Sequence, residues 1–247
     1  MPTILGAAAS GMTHNQDKLD VIGHNVSNVN SYAYKKFRPL HEGLPDPAAE
    51  PEGGRLGVAE TTRDLVFSQA ATQITENPLH FAIEDDAFLR VRDFDGRIVY
   101  TRFGGLEADA EGNILAFRGR FLEPPLQMPA GFTGPQVDQS GIITALDETG
   151  ARQEIGELSF ARFRNPQGLE TLGDGLYADT ANTGDITVGA AGSEGFAALR
   201  PGALEGSNVD IAEEFTNMII AQRAYTACAK TFSVGDEMLA LATKITQ

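Results

Sequence analysis

From Leu5 onward, apolar residues return every three or four positions: Leu5, Ala8, Met12, Leu19, Ile22, Val26 and Val29, with Asn15 the one polar step. The end of the chain repeats the pattern at Ile211, Phe215, Met218, Tyr225, Ala229, Phe232 and Leu239, interrupted by Gln222 and Asp236. This is the a/d spacing of a coiled-coil seam. It predicts two long helices, each about 40–50 Å at ~1.5 Å per residue. A helix with one apolar stripe must cover it. The expected cover is the other terminal helix, or the same helix of another subunit.

Proline agrees with this division. All 12 prolines lie at position 2 or between 39 and 201, so both ends are free of the residue most costly inside a helix. Ser207 and Asn208 are natural caps for the second helix. Asp210, Glu213 and Glu214 then put negative charge at the positive end of its dipole. Gly11, Gly23 and Gly235 each cost a helix roughly 1 kcal/mol relative to alanine. They read either as tolerated imperfections or as points of close helix–helix approach.

Between the helices the period changes to two. In “FLRVRDFDGRIVYTRFGG”, Phe88, Val91 and Phe94 are spaced by charges, and Asp95-Gly96 turns the chain into Ile98, Val99 and Tyr100. This is a hairpin signal. Further turns are expected at Glu111-Gly112, Arg118-Gly119, Ser140-Gly141 and Thr149-Gly150, and a strand within 154–163. Residues 39–60, rich in proline and acid, read as a linker or extended crossing segment. The expected fold is α+β: long N- and C-terminal helices forming a coiled-coil-like assembly domain, with one inserted small antiparallel β domain. The expected boundaries are 1–37, 38–65, 66–203 and 204–247.

The 247 residues are 42% hydrophobic, enough for a real core, and carry a formal charge of −15. Residues 1–40 hold four Lys/Arg against two acids and residues 205–247 three against six, so the acidity is concentrated in the middle. Such a surface argues against nucleic acid as a partner. There is no apolar run of the ~20 residues a membrane helix needs. The opening “MPTILGAAASGMTHNQDK” lacks the basic start and long apolar core of a secretory signal. Composition alone therefore points to the cytoplasm.

Candidate chemistry is sparse. His14, His24, His41 and His80 have no metal-type spacing, and Cys228 has no second cysteine to pair with. No metal or cofactor is expected. Glu84-Asp85-Asp86 reads as a solvated turn rather than a general acid and base. “DFDG” lacks the later glutamate of a calcium loop. The alternatives to a structural protein are a β-domain binding module on an oligomeric stalk, adhesin-like, and a hydrolase using the 84–86 carboxylates.

One resemblance changes this picture. “AASGM” (8–12), “LDVIGHNVSNVNS” (19–31) and “YKKF” (34–37) resemble the N-terminal segment of the bacterial flagellar axial proteins, the rod, hook and hook-associated subunits. “ALEGSNVDIAEEFTNMIIAQRAYTACAK” (203–230) is similar to that family's C-terminal motif at Leu204, Glu205, Ser207, Asn208, Val209, Met218, Ile219, Gln222, Arg223, Ala224, Tyr225 and Lys230. “ENPLHFAIEDDAFLRV”, “YTRFGGLEADAEGNILAFRGRFLEPP” and “GELSFARFRNPQGLETLGDGLYADT” are similar to its β-domain, in order. The chain departs from the pattern at His24, at Ala33 and at Asp85 and Ala87, the last three where the family usually has glycine. It departs again at Cys228-Ala229. Glycine there would supply positive φ in the turns after Asn30 and before Phe88.

The resemblance implies a structural protein, not an enzyme. About 140 residues between the helices leave room for one compact domain, which favours rod over hook. “AQRAYTACAK” and “FRNPQGLETLGDGLYADT” resemble distal-rod members, while the short 39–60 segment argues for proximal rod. Distal rod is the expectation and proximal rod the alternative. Many copies would stack helically into a hollow shaft that carries torque to the hook. The implied partners are further copies of the chain, neighbouring rod and hook proteins, and the flagellar type III export apparatus. Export by that apparatus would bring the chain to the periplasm-spanning basal body without a cleaved signal.

The implied assembly residues are the apolar members of the first stripe, Leu5 to Val29, and Ile211, Phe215, Met218, Tyr225, Phe232 and Leu239 of the second, together with Asn25, Asn28, Asn30, Ser207, Asn208, Val209, Gln222 and Arg223. Asn25 and Asn28 fall three apart on one flank of the first helix. They read either as helix termination or as hydrogen-bond partners of neighbouring subunits that set register.

Overall fold

A computed structural model describes residues 2–40, 43–45, 55–58 and 62–245. The chain divides into two compact units. One comprises residues 1–29, 36–66 and 209–247, the other residues 30–35 and 67–208.

The first unit contains the two helices, α1 (Pro2–Ser27) and α2 (Ile211–Ile245). They run antiparallel. A Cβ built on Gly235 would lie 2.9 Å from Leu5 Cδ2, one on Gly11 would lie 2.9 Å from Cys228 Sγ, and Asn25 bonds Glu214. Gly11 and Gly235 are therefore points of close approach, whereas Gly23 meets nothing within 4 Å. α2 is capped by Asp210, not by Ser207 or Asn208: its Oδ1 accepts from the backbone N–H groups of Ala212 (2.8 Å) and Glu213 (3.2 Å).

Among the described residues this unit also holds four short strands: Phe37–Leu40 pairs antiparallel with Thr62–Leu65, and Gly43–Pro45 with Arg55–Val58. The expected linker thus contains paired strands where it is described. His41 and the whole of the proline-rich stretch 46–54 lie outside the described residues.

The second unit is built on a nine-stranded antiparallel sheet. Its central strand, Ala87–Arg92, shares one edge with Ile98–Thr101. The other edge serves two partners in succession, Ser159–Phe163 against residues 87–89 and Arg120–Gln127 against residues 91–92. Both faces of this strand are covered. Ala87, Leu89 and Val91 face a hydrophobic core with Phe81, Ile83, Leu122, Ile143 and Phe160. Phe88 joins an edge-to-face aromatic cluster with Phe67, Phe163 and Tyr177, and Tyr100 packs on Phe163. A three-stranded sheet over residues 133–157 and two two-stranded pairs surround it. The glycines at 96, 112, 119, 141 and 150 take positive φ.

These observations correct the expected architecture. Among the described residues there are twenty strands in six sheets and only two α-helices, so the chain is mainly β, and strands occur in both units. Nor do the helices form a coiled-coil seam. The positions of α2 that are covered include Glu214, Asn217, Ala221, Ala224, Cys228 and Gly235, one residue ahead of the predicted a/d stripe and so turned from it by about 100°. Ile211 and the three aromatic residues of that stripe, Phe215, Tyr225 and Phe232, are exposed. The physical reason is size. Only small side chains allow the approach seen at Gly11–Cys228, so the bulky apolar face of α2 is turned outward.

Candidate functional site

α1 presents its stripe much as its period predicts. Ala8 and Ile22 are buried, Asn15 nearly so, and Leu5, Met12, Leu19, Val26 and Val29 are half-buried. On α2 the picture reverses. Ile211, Phe215, Gln222, Arg223, Tyr225 and Phe232 are exposed, and Val209, Met218 and Leu239 half-buried. Ile219 and Ile220 extend the exposed face, each 53% accessible against 49% for Phe215. A run of large apolar residues at this exposure along a helix needs a partner, because isolated exposed leucines are ordinary but contiguous apolar patches are not.

The asparagine-rich end of α1 has a definite structure. Asn25 is buried, and its side-chain amide brackets one residue of the strand that follows. Oδ1 accepts from the Phe37 N–H (2.9 Å), and Nδ2 donates to the Phe37 carbonyl (2.9 Å) and to Glu214 Oε1 (3.2 Å). Burial pushes the Glu214 carboxyl above its ordinary pKa, while the Asn25 bond and Lys36 act against that. Asn28 donates to the His24 carbonyl one turn back (2.9 Å), and Asn30 is exposed. A pocket of about 220 Å³ opens here, lined by Lys18, Val21, Asn25, Phe37, Glu213 and Glu214 among others. Lys36 pairs with Glu213 at 2.9 Å on the same end.

The second unit holds a buried charge cluster that periodicity could not reveal. Lys35, Arg102 and Glu205 are each 1% exposed. Lys35 Nζ lies 2.7 Å from Glu205 Oε1, and Arg102 Nε lies 3.0 Å from Oε2. Burial pushes the Glu205 carboxyl up, but Arg102 and Lys35 outweigh it and hold the group below the usual carboxylate range. Burial, and then the Arg102 charge, bring the Lys35 ammonium down to about 8, against the pull of Glu205. Removing one member of such a buried set typically costs about 3–5 kcal/mol, because the others are left unpaired. The signal that could have found it is that Lys35 and Glu205 sit inside the two terminal motifs.

Of the three acidic residues considered for catalysis, Asp85 is spent on structure, as are Asp93 and Asp95 of the “DFDG” turn. Asp85 accepts from the Asp86 N–H (2.7 Å), the Ala197 N–H (3.3 Å) and the Arg162 guanidinium. Asp93 is bound by Arg120 at 2.8 Å and Asp95 by Arg97 at 2.7 Å. Among the described residues, no three His, Cys, Asp or Glu side chains group as a metal site, and no helix is long and apolar enough to cross a membrane.

Residues 200–245 match the family described as flagellar basal body rod FlgEFG protein C-terminal, and residues 82–145 the flagellar hook protein FlgE/F/G D1 domain. Over its whole length the chain is similar to a flagellar basal-body rod protein FlgG of Borreliella burgdorferi, 36% identical across 99% of both chains. The chain belongs to the FlgG family. FlgG of Bacillus subtilis is 33% identical across 95% of this chain and 96% of its own. The hook protein FlgE of Borreliella burgdorferi is 40% identical, but across 42% of this chain and 24% of its own. The solved hook protein FlgE2 of Helicobacter pylori is similar over 70% of this chain and 40% of that one, at 15% identity and a TM-score of 0.26, too low to define the fold. Within the FlgG family pattern, this chain's alanine at 33 occupies a left-handed position, φ +56°, whereas neither Asp85 nor Ala87 has positive φ.

Proposed function

We infer that this protein is a structural subunit of the bacterial flagellar basal-body rod, in its distal part. The observation that carries the reading is similarity to FlgG rod proteins over nearly the whole of both chains. The chain is not an enzyme. Its work is to assemble with rod and hook proteins and to bear load.

The exposed apolar face of α2 supports a mode of assembly. Ile211, Phe215, Ile219, Tyr225 and Phe232 are covered in the rod by further copies of this chain, with α1 contributing from the same unit. Such contacts are heterologous, joining different surfaces on successive copies, and heterologous contacts that do not close produce a helical filament. Residues 1–37 and 204–247 carry this assembly, and most of the acidic second unit lies outside them. The filament is a hollow shaft in the periplasm-spanning basal body, and subunits reach it through the flagellar type III export apparatus without a cleaved signal.

Deleting residues 210–247 tests this reading. The truncated chain keeps the second unit folded, seen by near-ultraviolet circular dichroism of its aromatic cluster, and builds no rods in electron micrographs of cells. Rods built from the truncated chain would refute the assignment of assembly to α2.

A further inference from the structure

Glu205 sits where several chain connections converge. The chain enters or leaves the second unit at 29/30, 35/36, 66/67 and 208/209. Three segments of that unit adjoin these points, 30–35, 67–71 and 203–208, and they are bonded to one another. The Glu205 carbonyl accepts from the Ala33 N–H (2.8 Å). Its carboxylate Oε1 accepts from Lys35 Nζ (2.7 Å) and from the Ala70 N–H (3.0 Å). Lys35 Nζ also donates to the Ser68 carbonyl (2.8 Å). Beyond Glu205, the Gly206 N–H donates to the Ala71 carbonyl (2.9 Å), and Asn208 Nδ2 to the Ser68 carbonyl (3.2 Å) and hydroxyl (3.1 Å). The second carboxylate oxygen takes Arg102, whose Nη1 donates to the carbonyl of Ala87, the first residue of the central strand (3.3 Å).

We propose that Glu205 is a coupling residue, fastening segments 30–35, 67–71 and 203–208 to each other and, through Arg102, to the nine-stranded sheet, so that the three segments open and close as one cooperative unit. One carboxylate that binds two segments by side chain, belongs to the third, and reaches the sheet through an arginine makes the order of each segment conditional on the others. Charge-assisted bonds shielded from water are the strongest available for this purpose. In a rod subunit, an assignment on which this consequence alone rests, load arriving through any one segment is shared by all three rather than peeling them in turn.

Hydrogen exchange read by mass spectrometry on the full chain tests the coupling. Glu205→Gln keeps the size of the side chain but turns an amide NH₂ toward Arg102 or Lys35. In the parent chain, peptides covering 30–35, 67–71 and 203–208 should share one opening free energy, below that of 87–101, and in Glu205→Gln all three should accelerate together, by roughly tenfold or more. Acceleration confined to one or two of the segments, no change, or segments that in the parent chain open only together with 87–101 would each overturn the proposal. Should Glu205→Gln not accumulate in folded form, Lys35→Met gives the same reading, because it removes the bonds to Glu205 and Ser68 while leaving Arg102 in place. The three peptides must again respond together. The exchange pattern is independent of whether the chain builds rods, so failure of the coupling and failure of the rod assignment are separable.

Discussion

Asn25 and Glu214, 189 positions apart in sequence, are joined by a 3.2 Å hydrogen bond, and both are nearly closed to water. The same Asn25 amide holds the N–H and the carbonyl of Phe37. Asparagine is a poor helix interior residue because its amide competes for backbone groups. Here that competition is the use made of it: the amide takes the backbone of the strand following α1.

Asn25→Ala should therefore destabilise the helical unit by about 2–3 kcal/mol, the cost of leaving buried partners unbonded. Denaturant unfolding followed at 222 nm measures it. Asn25→Asp sets a carboxylate against Glu214 and the Phe37 carbonyl, so its loss should be at least as large at neutral pH and should shrink as pH falls toward 4. An alanine variant as stable as the parent would show the bracket to be dispensable.

The helix glycines should separate into two kinds. Gly23→Ala, with open space around the new methyl, gains the helix roughly 1 kcal/mol. Gly11→Ala puts a methyl 2.9 Å from Cys228 Sγ and should gain nothing or lose. Combining it with Cys228→Ala leaves the new methyl 3.9 Å from the Cβ at 228, an ordinary contact, and should recover the gain. Thermal melts of Gly11→Ala, Cys228→Ala, their combination and the parent form a double-mutant cycle, with Gly23→Ala measured beside it.

The second unit should be most stable in mildly alkaline solution. Glu205 is held below its ordinary pKa, so its contribution is present above about pH 4.3 and is lost as pH falls through the folded value. Lys35 is lowered to about 8, so above that pH the unfolded chain binds the extra proton and stability rises toward pH ~10. Burial raises the Tyr177 phenol, so above about pH 10 the unfolded chain ionises first and stability falls. Urea midpoints across pH 7–11.5 should rise and then fall. Lys35→Met should flatten the rise and Tyr177→Phe the fall.

Phe215→Asp and Ile219→Asp distinguish assembly from folding. Both side chains are exposed on α2, so the isolated subunit should keep its stability to within about 0.5 kcal/mol. Assembly should be lost, read as absence of rods in cells expressing the variant. Loss of subunit stability instead would mean that these residues are packed within the chain.

The sequence made α1 legible because most of its covered positions are apolar at regular steps, Asn15 and Asn25 being the polar exceptions. It misdirected the reading of α2, where the eye follows Phe215, Tyr225 and Phe232 while the packed face is Ala221, Ala224 and Cys228, residues with little hydrophobic signal. Hairpins were legible wherever glycine enforces positive φ, as at Gly96. At Ala33 the family's usual glycine pointed to a left-handed turn that alanine here adopts. The strands within 37–65 were hidden by proline and acid. The Lys35–Glu205–Arg102 cluster was hidden for another reason: its members are far apart in sequence, and charged residues are expected outside until a fold brings them together.

The most direct measurement of the central claim is electron microscopy of basal bodies from cells in which this gene is disrupted. The rod assignment predicts basal bodies that lack the distal rod and everything beyond it, restored by the intact gene. Complete rods bearing hooks in the disrupted strain would contradict it.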